Sequence, residues 1–160
     1  MSAPPVPLEL RPMGDGDRNF VLASWLRSYA GKGEESYDAA RAFYADYAPV
    51  VLALMARSTV VVACLSEEPS AIIGWYAVEG ETLHYVLVKP RWRRLGVARW
   101  LLDDFAGLSL AYTHRTSDAR RCPIPSAWEF RRWRIWKETD HEAQEHRVPR
   151  PGERLGREAA

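Results

Sequence analysis

Residues 86–105 read VLVKPRWRRLGVARWLLDDF, and this stretch decides the fold. An apolar segment of strand type leads through a proline and a basic turn into an amphipathic run, an order that predicts a strand, a turn and a helix. The unpaired N–H groups and the positive dipole end at the start of a helix attract anions. Gly96 lets the main chain approach such an anion closely, and Arg93 and Arg94 add positive charge. The stretch therefore predicts a turn that binds phosphate.

Positive charge is concentrated around this turn, although the whole chain has a formal net charge of only +1. Residues 89–137 contain 12 Lys and Arg against 4 Asp and Glu, whereas residues 1–88 contain 6 against 11. A basic block on an otherwise acidic chain favours an anionic ligand or partner. A solvated arginine-rich surface without a ligand is the alternative that charge alone leaves open.

Length and composition favour one packed domain. The 160 residues are 47% hydrophobic, which suits a single core, and we expect residues 1–137 to form it and the polar residues 138–160 to form a tail. No apolar run approaches the roughly 20 residues that span a bilayer, and the start lacks the pattern of a signal peptide. The spacing of the two cysteines suits neither zinc nor a disulfide framework. We therefore expect a cytoplasmic protein with reduced thiols, no membrane contact and no metal.

The pattern of apolar and turn residues predicts an α/β order. Two helices precede three strands. The first helix has Asp15 or Asp17 as its N-cap, and the second is bent or divided at Pro49. The links between the three strands are short enough for antiparallel hairpins. A helix, another strand and a segment that is typical of either a strand or a short helix follow. The predicted elements are strand 8–11, helix 20–31, helix 36–58, strands 59–65, 71–78 and 82–88, helix 96–110, strand 110–116 and the ambiguous segment 127–137.

The turn also contains the pattern V-x-P-x-x-(Q/R)-x-x-G-x-(G/A), carried by Val88, Pro90, Arg93, Gly96 and Ala98. In this strand, turn and helix context, the chain resembles the GNAT (Gcn5-related N-acetyltransferase) superfamily. The resemblance covers roughly residues 8–116, because the element order β, α, α, β, β, β, α, β is that of the family's core. A narrower similarity, to short GNAT-like proteins of bacteriophages, lies in SWLRSY (24–29), ARST (56–59) and LHYVLVK (83–89).

The resemblance implies a GNAT-like α/β fold with a mixed, mostly antiparallel sheet flanked by helices. In that family a bulge splays the fourth strand from the fifth, and acetyl-CoA, the acyl donor, lies in the V between them. Main-chain groups of Leu87 and Val88 are then expected to bind the pantetheine arm and the acyl carbonyl. The family's core continues after the fifth strand with a helix and two strands, so this chain is expected to be truncated at its C-terminal end. The residues expected to hold the pyrophosphate are Arg93, Arg94, Leu95, Gly96, Val97 and Ala98, with Arg99 at the rim.

The resemblance also implies direct transfer of an acetyl group to an amine, a reaction that needs a proton acceptor and gains from a proton donor. His84, three residues before Leu87, is the candidate base because histidine titrates near neutrality. A half-buried strand histidine bonded to a neighbour is the alternative. Tyr112 is the candidate acid, with packing against the sheet as the alternative, and Tyr85 and Tyr76 compete for that role.

The segment 127–137, AWEFRRWRIWK, interleaves aromatic and basic residues in a way that suits stacking on bases and contact with phosphates. A terminal strand is the alternative. Two functions therefore stand as hypotheses. The first is an acyl-CoA-dependent N-acyltransferase with an unknown amine acceptor, for which a nucleic-acid base such as one in DNA is a candidate. The second is a GNAT-like module without turnover that contacts protein or nucleic acid. The residues expected near the acceptor entrance are Trp25, which is alternatively a core residue, and Arg27, Ser28 and Tyr29.

Overall fold

The computed structural model describes residues 6–30, 37–115 and 124–135. The strands are β1 Leu8–Pro12, β2 Thr59–Leu65, β3 Glu68–Glu79, β4 Thr82–Val88, β5 Ala111–Tyr112 and β6 Glu129–Phe130. The helices are α1 Arg18–Ala30, α2 Tyr37–Arg57 and α3 Val97–Leu101. Short 3₁₀ turns occupy Asp15–Asp17, Pro90–Trp92, Asp103–Phe105 and Arg132–Ile135.

The strands of the described residues form one sheet in the order β1, β2, β3, β4, β5, β6. Strands β1 to β4 pair antiparallel, whereas the β4–β5 and β5–β6 pairs are parallel. Tight turns join β2 to β3 and β3 to β4, as antiparallel neighbours allow, and the longer connection through α3 returns the chain so that β5 runs parallel to β4. The predicted α/β class with a mixed, mostly antiparallel sheet is confirmed.

Two clusters of apolar side chains hold helices against the two faces of this sheet. On one face Trp25 of α1 and Trp75 of β3 are fully buried with ring centroids 5.2 Å apart, and Leu54 of α2 packs into the same cluster. On the other face Val97 and Leu101 pack α3 against the sheet. Full burial of one such aliphatic side chain contributes about 1.5–3 kcal/mol. The two clusters therefore fix where both sets of helices lie relative to β4.

Helix α2 runs through Pro49 without interruption, so of the two predicted alternatives, a bend or a division, the division is wrong. A proline inside a helix removes one hydrogen bond and costs about 3 kcal/mol. Pro49 itself is exposed, but Val51, Leu54 and Met55 on the following turns are all buried in the core. Their burial outweighs the local cost, and the helix continues to Arg57.

Helix α3 is much shorter than the predicted helix 96–110. It ends at Leu101, and the chain continues through the 3₁₀ turn Asp103–Phe105 to Gly107, whose φ of +83° is left-handed. Beyond Leu101 the buried stripe ends, because Asp104 and Ala106 are exposed. A further helical turn would fix backbone dihedrals at about 1–2 kcal/mol per residue with little burial to offset that cost.

The C-terminal elements are also shorter than predicted. The strand predicted over 110–116 pairs only at Ala111 and Tyr112. The ambiguous segment 127–137 contains both alternatives, since β6 pairs with β5 and the 3₁₀ turn Arg132–Ile135 follows it. Residues 116–123, residues 136 and 137 and the predicted tail 138–160 lie outside the described residues.

The corner between β1 and α1 is held by Asp17. Its carboxylate accepts hydrogen bonds from both terminal nitrogens of Arg11 and from the N–H of Gly14, the last at 2.8 Å. The hydrogen bonds from Arg11 are the main cause that lowers the pKa of Asp17, and the bond from Gly14 lowers it further. Asp17, one of the two residues predicted as the N-cap of α1, therefore stabilises the turn that leads into this helix.

Candidate functional site

Strands β4 and β5 separate after a short parallel pairing. Thr82 pairs with Ala111 and Leu83 with Tyr112, and the Thr113 N–H then donates to the Leu83 carbonyl at 3.1 Å. No further pair between these strands occurs in the described part of the chain. We call the region between Val86–Val88 and residues 113–115, where no strand pairing joins the two described segments, the fork.

The fork begins at a bulge in β4. Val78 of β3 pairs with Leu83 and the preceding Ala77 pairs with Tyr85, so His84 is the extra residue of β4. A bulge of this kind bends its strand and increases the local twist. The side chains change faces across it, since Leu83 packs on the α3 side whereas Tyr85 packs on the α1 and α2 side.

The register of β4 decides which main-chain groups face the fork. The Lys89 N–H donates to the Ile73 carbonyl at 2.9 Å, and main-chain groups alternate between the two neighbours along a strand. Val86 and Val88 therefore direct their N–H and C=O groups toward the fork, whereas Leu87 directs its own toward β3. Sequence reasoning named Leu87 and missed Val86, because the alternation depends on the bulge.

The turn after β4 contains two residues with left-handed backbone, Arg94 at φ 64° and Gly96 at φ 78°. Among the described residues, the N–H groups of Arg94, Leu95 and Gly96 find no acceptor within the chain. Successive free N–H groups in a turn of this kind form an anion-binding concavity. The first turn of α3 adds the N–H groups of Val97 and Ala98, which a helix leaves unpaired.

The side chains of the turn divide into anchoring and exposed ones. Val97 is buried at 1% exposure and anchors α3, and Arg93 donates from Nε to the Val88 carbonyl at 3.0 Å. The side chains of Arg94, Leu95 and Arg99 are exposed. The structure thus brings together the residues of the predicted phosphate turn at the end of β4, and Arg93 is exposed as well as Arg94 and Arg99.

His84 is fully buried rather than half-buried, with 1% of its surface exposed. Its Nε2 lies 3.1 Å from Oε2 of Glu79, and its Nδ1 lies 3.2 Å from Oγ1 of Thr113. Burial lowers the pKa of His84; the hydrogen bond to Glu79 opposes this shift and the charge of Arg57 adds to it. The ring is therefore neutral near pH 7. Its role as a base stays a prediction.

Tyr112 lies on the α3 side of the sheet at 8% exposure, with its ring centroid 5.4 Å from that of Phe130. Tyr76 packs edge-on against Phe105 on the same side. Tyr85 lies on the opposite face, where it packs beside Trp25. Of these three tyrosines, only Tyr85 points to the face covered by α1 and α2. The role of Tyr112 as an acid stays a prediction.

An aromatic cluster lies beside the fork, and sequence reasoning named Tyr29 and Tyr85 in it but missed His114. The His114 ring lies 4.3 Å from Tyr29 and 5.0 Å from Tyr85, measured between centroids. Burial, with the charge of Arg132, lowers the pKa of His114 to about 4. Burial raises the pKa of Tyr29 to about 12. This wall is uncharged near neutrality, and Trp25, at 0% exposure, lies in the core behind it.

Several arginines of the basic segment bond within the chain. Arg131 forms an ion pair with Glu129, and Arg134 donates to the Thr82 hydroxyl at 3.1 Å. The Arg115 guanidinium lies 5.7 Å from the centroid of the Phe130 ring. These contacts use part of the positive charge that the sequence assigns to a ligand or partner.

No group of three His, Cys, Asp or Glu side chains among the described residues is arranged to hold a metal ion. None of the helices in that part of the chain combines the length and the apolar character needed to cross a membrane. A cleft of about 530 Å³ lies on the other side of β4 from the fork, between the start of β3 and the segment Lys89–Trp92.

No protein-family model matches this chain, and no curated protein matches it by sequence. Solved structures with a similar fold include a GCN5-related N-acetyltransferase from Rhodopseudomonas palustris, at 19% identity and a TM-score of 0.47, covering 76% of this chain and 72% of that one. A GNAT family acetyltransferase from Brucella melitensis in complex with acetyl-CoA is 16% identical with a TM-score of 0.43, covering 71% and 80%. The apo form of YjaB from Escherichia coli is 17% identical with a TM-score of 0.44, and the match spans 61% of this chain and 63% of YjaB.

Proposed function

We propose that the protein is an acyl-CoA-dependent N-acyltransferase that uses acetyl-CoA as its donor. The observation that carries the proposal is the continuity of the fork with the turn. Main-chain groups of Val86 and Val88 face the fork, and the free N–H groups of 94–96 follow directly at its end. An extended ligand can thus bind along β4 and place an anionic group in the turn.

The chemistry of acetyl-CoA suits both parts of this surface. Its pantetheine arm contains two amides, which can pair with a strand edge as an added strand does. Its pyrophosphate is a double anion, which fits the free N–H groups of the turn and the exposed Arg94 and Arg99. In this arrangement the thioester lies near the bulge at His84, where β4 and β5 part.

The acceptor amine is proposed to approach from the side of Tyr29, Tyr85 and His114. This wall is aromatic and uncharged near neutrality, with the exposed Arg132 beside it. Aromatic rings and a nearby cation suit an acceptor that combines a flat ring with negative charge, and a nucleotide of a nucleic acid, with its base and its phosphate, meets this description. The exposed Arg115 lies elsewhere, over the Phe130 ring that packs against Tyr112 on the α3 side of the sheet.

The alternative hypothesis is a module that binds nucleic acid or protein without turnover. Its support is the basic segment, but two of that segment's arginines already bond to Glu129 and Thr82. Binding of single-stranded DNA tests for a polyanionic acceptor or partner. Support would come from an affinity that falls steeply with salt and that is lower when Arg115 and Arg132 are both changed to Ala. The cytoplasmic location and the bacteriophage relationship stay predictions.

Calorimetry with acetyl-CoA tests the proposed donor site. We expect micromolar binding for the wild type and none for Gly96→Trp, because a bulky side chain would occupy the open space beside Gly96 that a phosphate needs. Gly107→Trp is the matched control, since Gly107 also has positive φ and open space but lies before β5, away from the fork. A wild type that gives no heat with millimolar acetyl-CoA would refute the proposal.

A further inference from the structure

Three polar side chains lie in a line at the point where the fork begins. Oε2 of Glu79 is 3.1 Å from Nε2 of His84, and Nδ1 of His84 is 3.2 Å from Oγ1 of Thr113. Thr113 is the first residue beyond the last β4–β5 pair, and its N–H is bonded to Leu83. The line therefore runs from the end of β3 through the bulge of β4 to the first residue of the fork.

The hydrogen positions along this line follow from the partners. The Glu79 carboxylate, which is also paired with Arg57 at 2.8 Å, can only accept, so Nε2 of His84 donates to it. Nδ1 is then an acceptor, and the Thr113 hydroxyl lies within reach of both Nδ1 and, at 3.3 Å, the His84 carbonyl. Thr113 is thus the only member of the line with a hydrogen that can move to His84.

We infer that Glu79, His84 and Thr113 form a proton relay in which Thr113 is the catalytic group and His84 acts through it. The inference rests on the acyl transfer proposed above. As the amine nitrogen forms its bond to the thioester carbon, its proton passes to Oγ1 of Thr113 and the Thr113 hydroxyl proton passes to Nδ1 of His84. The carbon–sulfur bond breaks, and the proton then reaches the departing thiolate, so that amide and free CoA thiol result.

The surroundings of the relay favour this direction of proton flow. Glu79 on β3 accepts from Nε2 of His84 and so stabilises the imidazolium that forms, and Arg57 at the end of α2 donates to the same carboxylate oxygen. Arg57 also donates to the Ile135 carbonyl, which attaches the C-terminal 3₁₀ turn to the same group. Thr113 and His84 are 3% and 1% exposed, and in such surroundings of low dielectric the hydrogen bonds between them are stronger than in water.

Release of free thiol from acetyl-CoA, with water as the attacking nucleophile, tests the relay without knowledge of the acceptor. We expect Thr113→Val, which keeps the shape of the side chain, to lower the rate roughly 10²-fold, while its calorimetric Kd for acetyl-CoA stays within about 2-fold. Thr113→Ser should recover most of the rate. In the wild type the rate should fall as His84 becomes protonated at low pH, and in Thr113→Val this pH dependence should disappear. Thr59→Val, at an exposed threonine of β2, is the control for the substitution itself.

The outcomes separate the two proposals. A wild type that does not bind acetyl-CoA refutes the donor site. If the wild type binds acetyl-CoA but releases no thiol, or if Thr113→Val releases thiol at the wild-type rate, the relay alone is refuted. If Thr113→Val does not fold, ¹⁵N spectra of the wild-type His84 ring decide the question. A neutral ring protonated on Nε2 supports the relay, and a ring protonated on Nδ1 overturns it.

Discussion

The carbonyl oxygen of Leu87 lies 2.6 Å from the position that a Cβ on Gly74 would occupy. A side chain at Gly74 would also come within 3.1 Å of Leu101 Cδ1 in α3. The absence of a Cβ at this point lets β3, β4 and α3 meet behind the fork. The packing that holds the turn in place therefore depends on Gly74.

Gly74→Ala is expected to destabilise the protein by about 1–3 kcal/mol, because the new methyl group would overlap a main-chain oxygen that cannot move alone. Gly16→Ala is the matched control, since a Cβ there meets no atom within 4 Å, and we expect a change within about 0.5 kcal/mol. Denaturant unfolding of both variants measures the difference. Equal stabilities of the two variants would contradict the close approach.

Arg94 is expected to lower the stability of the fold, because it is a non-glycine residue at φ 64°, and to strengthen the binding of acetyl-CoA. Arg94→Gly should raise the melting temperature by relieving roughly 1 kcal/mol of strain, and should weaken acetyl-CoA binding about 10-fold by removing a charge-assisted contact. Arg94→Ala should weaken binding equally without the gain in stability. Thermal unfolding and calorimetry separate the two effects, and a glycine variant that binds as the wild type does would remove Arg94 from the site.

His114 is expected to make the protein less stable in acid. Its folded-state pKa of about 4 lies below the unfolded value near 6.5, so its contribution is present above pH 6.5 and is lost as the pH falls toward 4. His114→Phe keeps an aromatic ring against Tyr29 and Tyr85 but cannot take up a proton. Between pH 6.5 and 4 the free energy of unfolding, measured with urea, should fall less steeply for the variant than for the wild type. The difference between the two slopes should be up to about 1.4 kcal/mol per pH unit. Parallel slopes would show that His114 is not buried neutral.

Asp17 is expected to stabilise the corner before α1 through its ionised form. Asp17→Asn should cost about 1.5–3 kcal/mol because it removes charge-assisted bonds to Arg11, whereas Asp15→Asn at an exposed position of the same turn should change little. Since Arg11 lowers the pKa of Asp17, this contribution is present above about pH 3.9 and is lost as the pH falls through the folded pKa. Unfolding curves should show the two variants diverging at pH 7, and the difference between them should be smaller at pH 3.

Local patterns predicted much of the molecule. Strands 59–65 and 82–88 have the predicted bounds, and the order of helices and strands follows the prediction. These features depend on periodicity and on turn residues within a few positions, which are visible in a single sequence. The position of the phosphate turn between β4 and α3 is of the same kind, because Pro90 and Gly96 mark its ends.

Other features depend on contacts between distant segments, and those the sequence could not predict. The length of α3 is decided by where its burial against β3 ends, and the continuity of α2 through Pro49 by core packing on both sides of it. Thr113 and Glu79 lie 29 and 5 positions from His84, and no spacing rule connects a residue after β5 with one at the end of β3.

The sequence by itself determined the strand, the basic turn and the helix start, because these are set by local backbone preference and by charge that adjacent residues share. Only the tertiary structure decided what faces the fork. The bulge at His84 shifts the alternation of β4 by one residue, so Val86 and Val88 rather than Leu87 turn their main-chain groups toward it. The same shift brings His84 between Glu79 and Thr113. A register of this kind results from the pairing of whole strands. A one-residue change in the register reverses the direction in which every following main-chain group and side chain points.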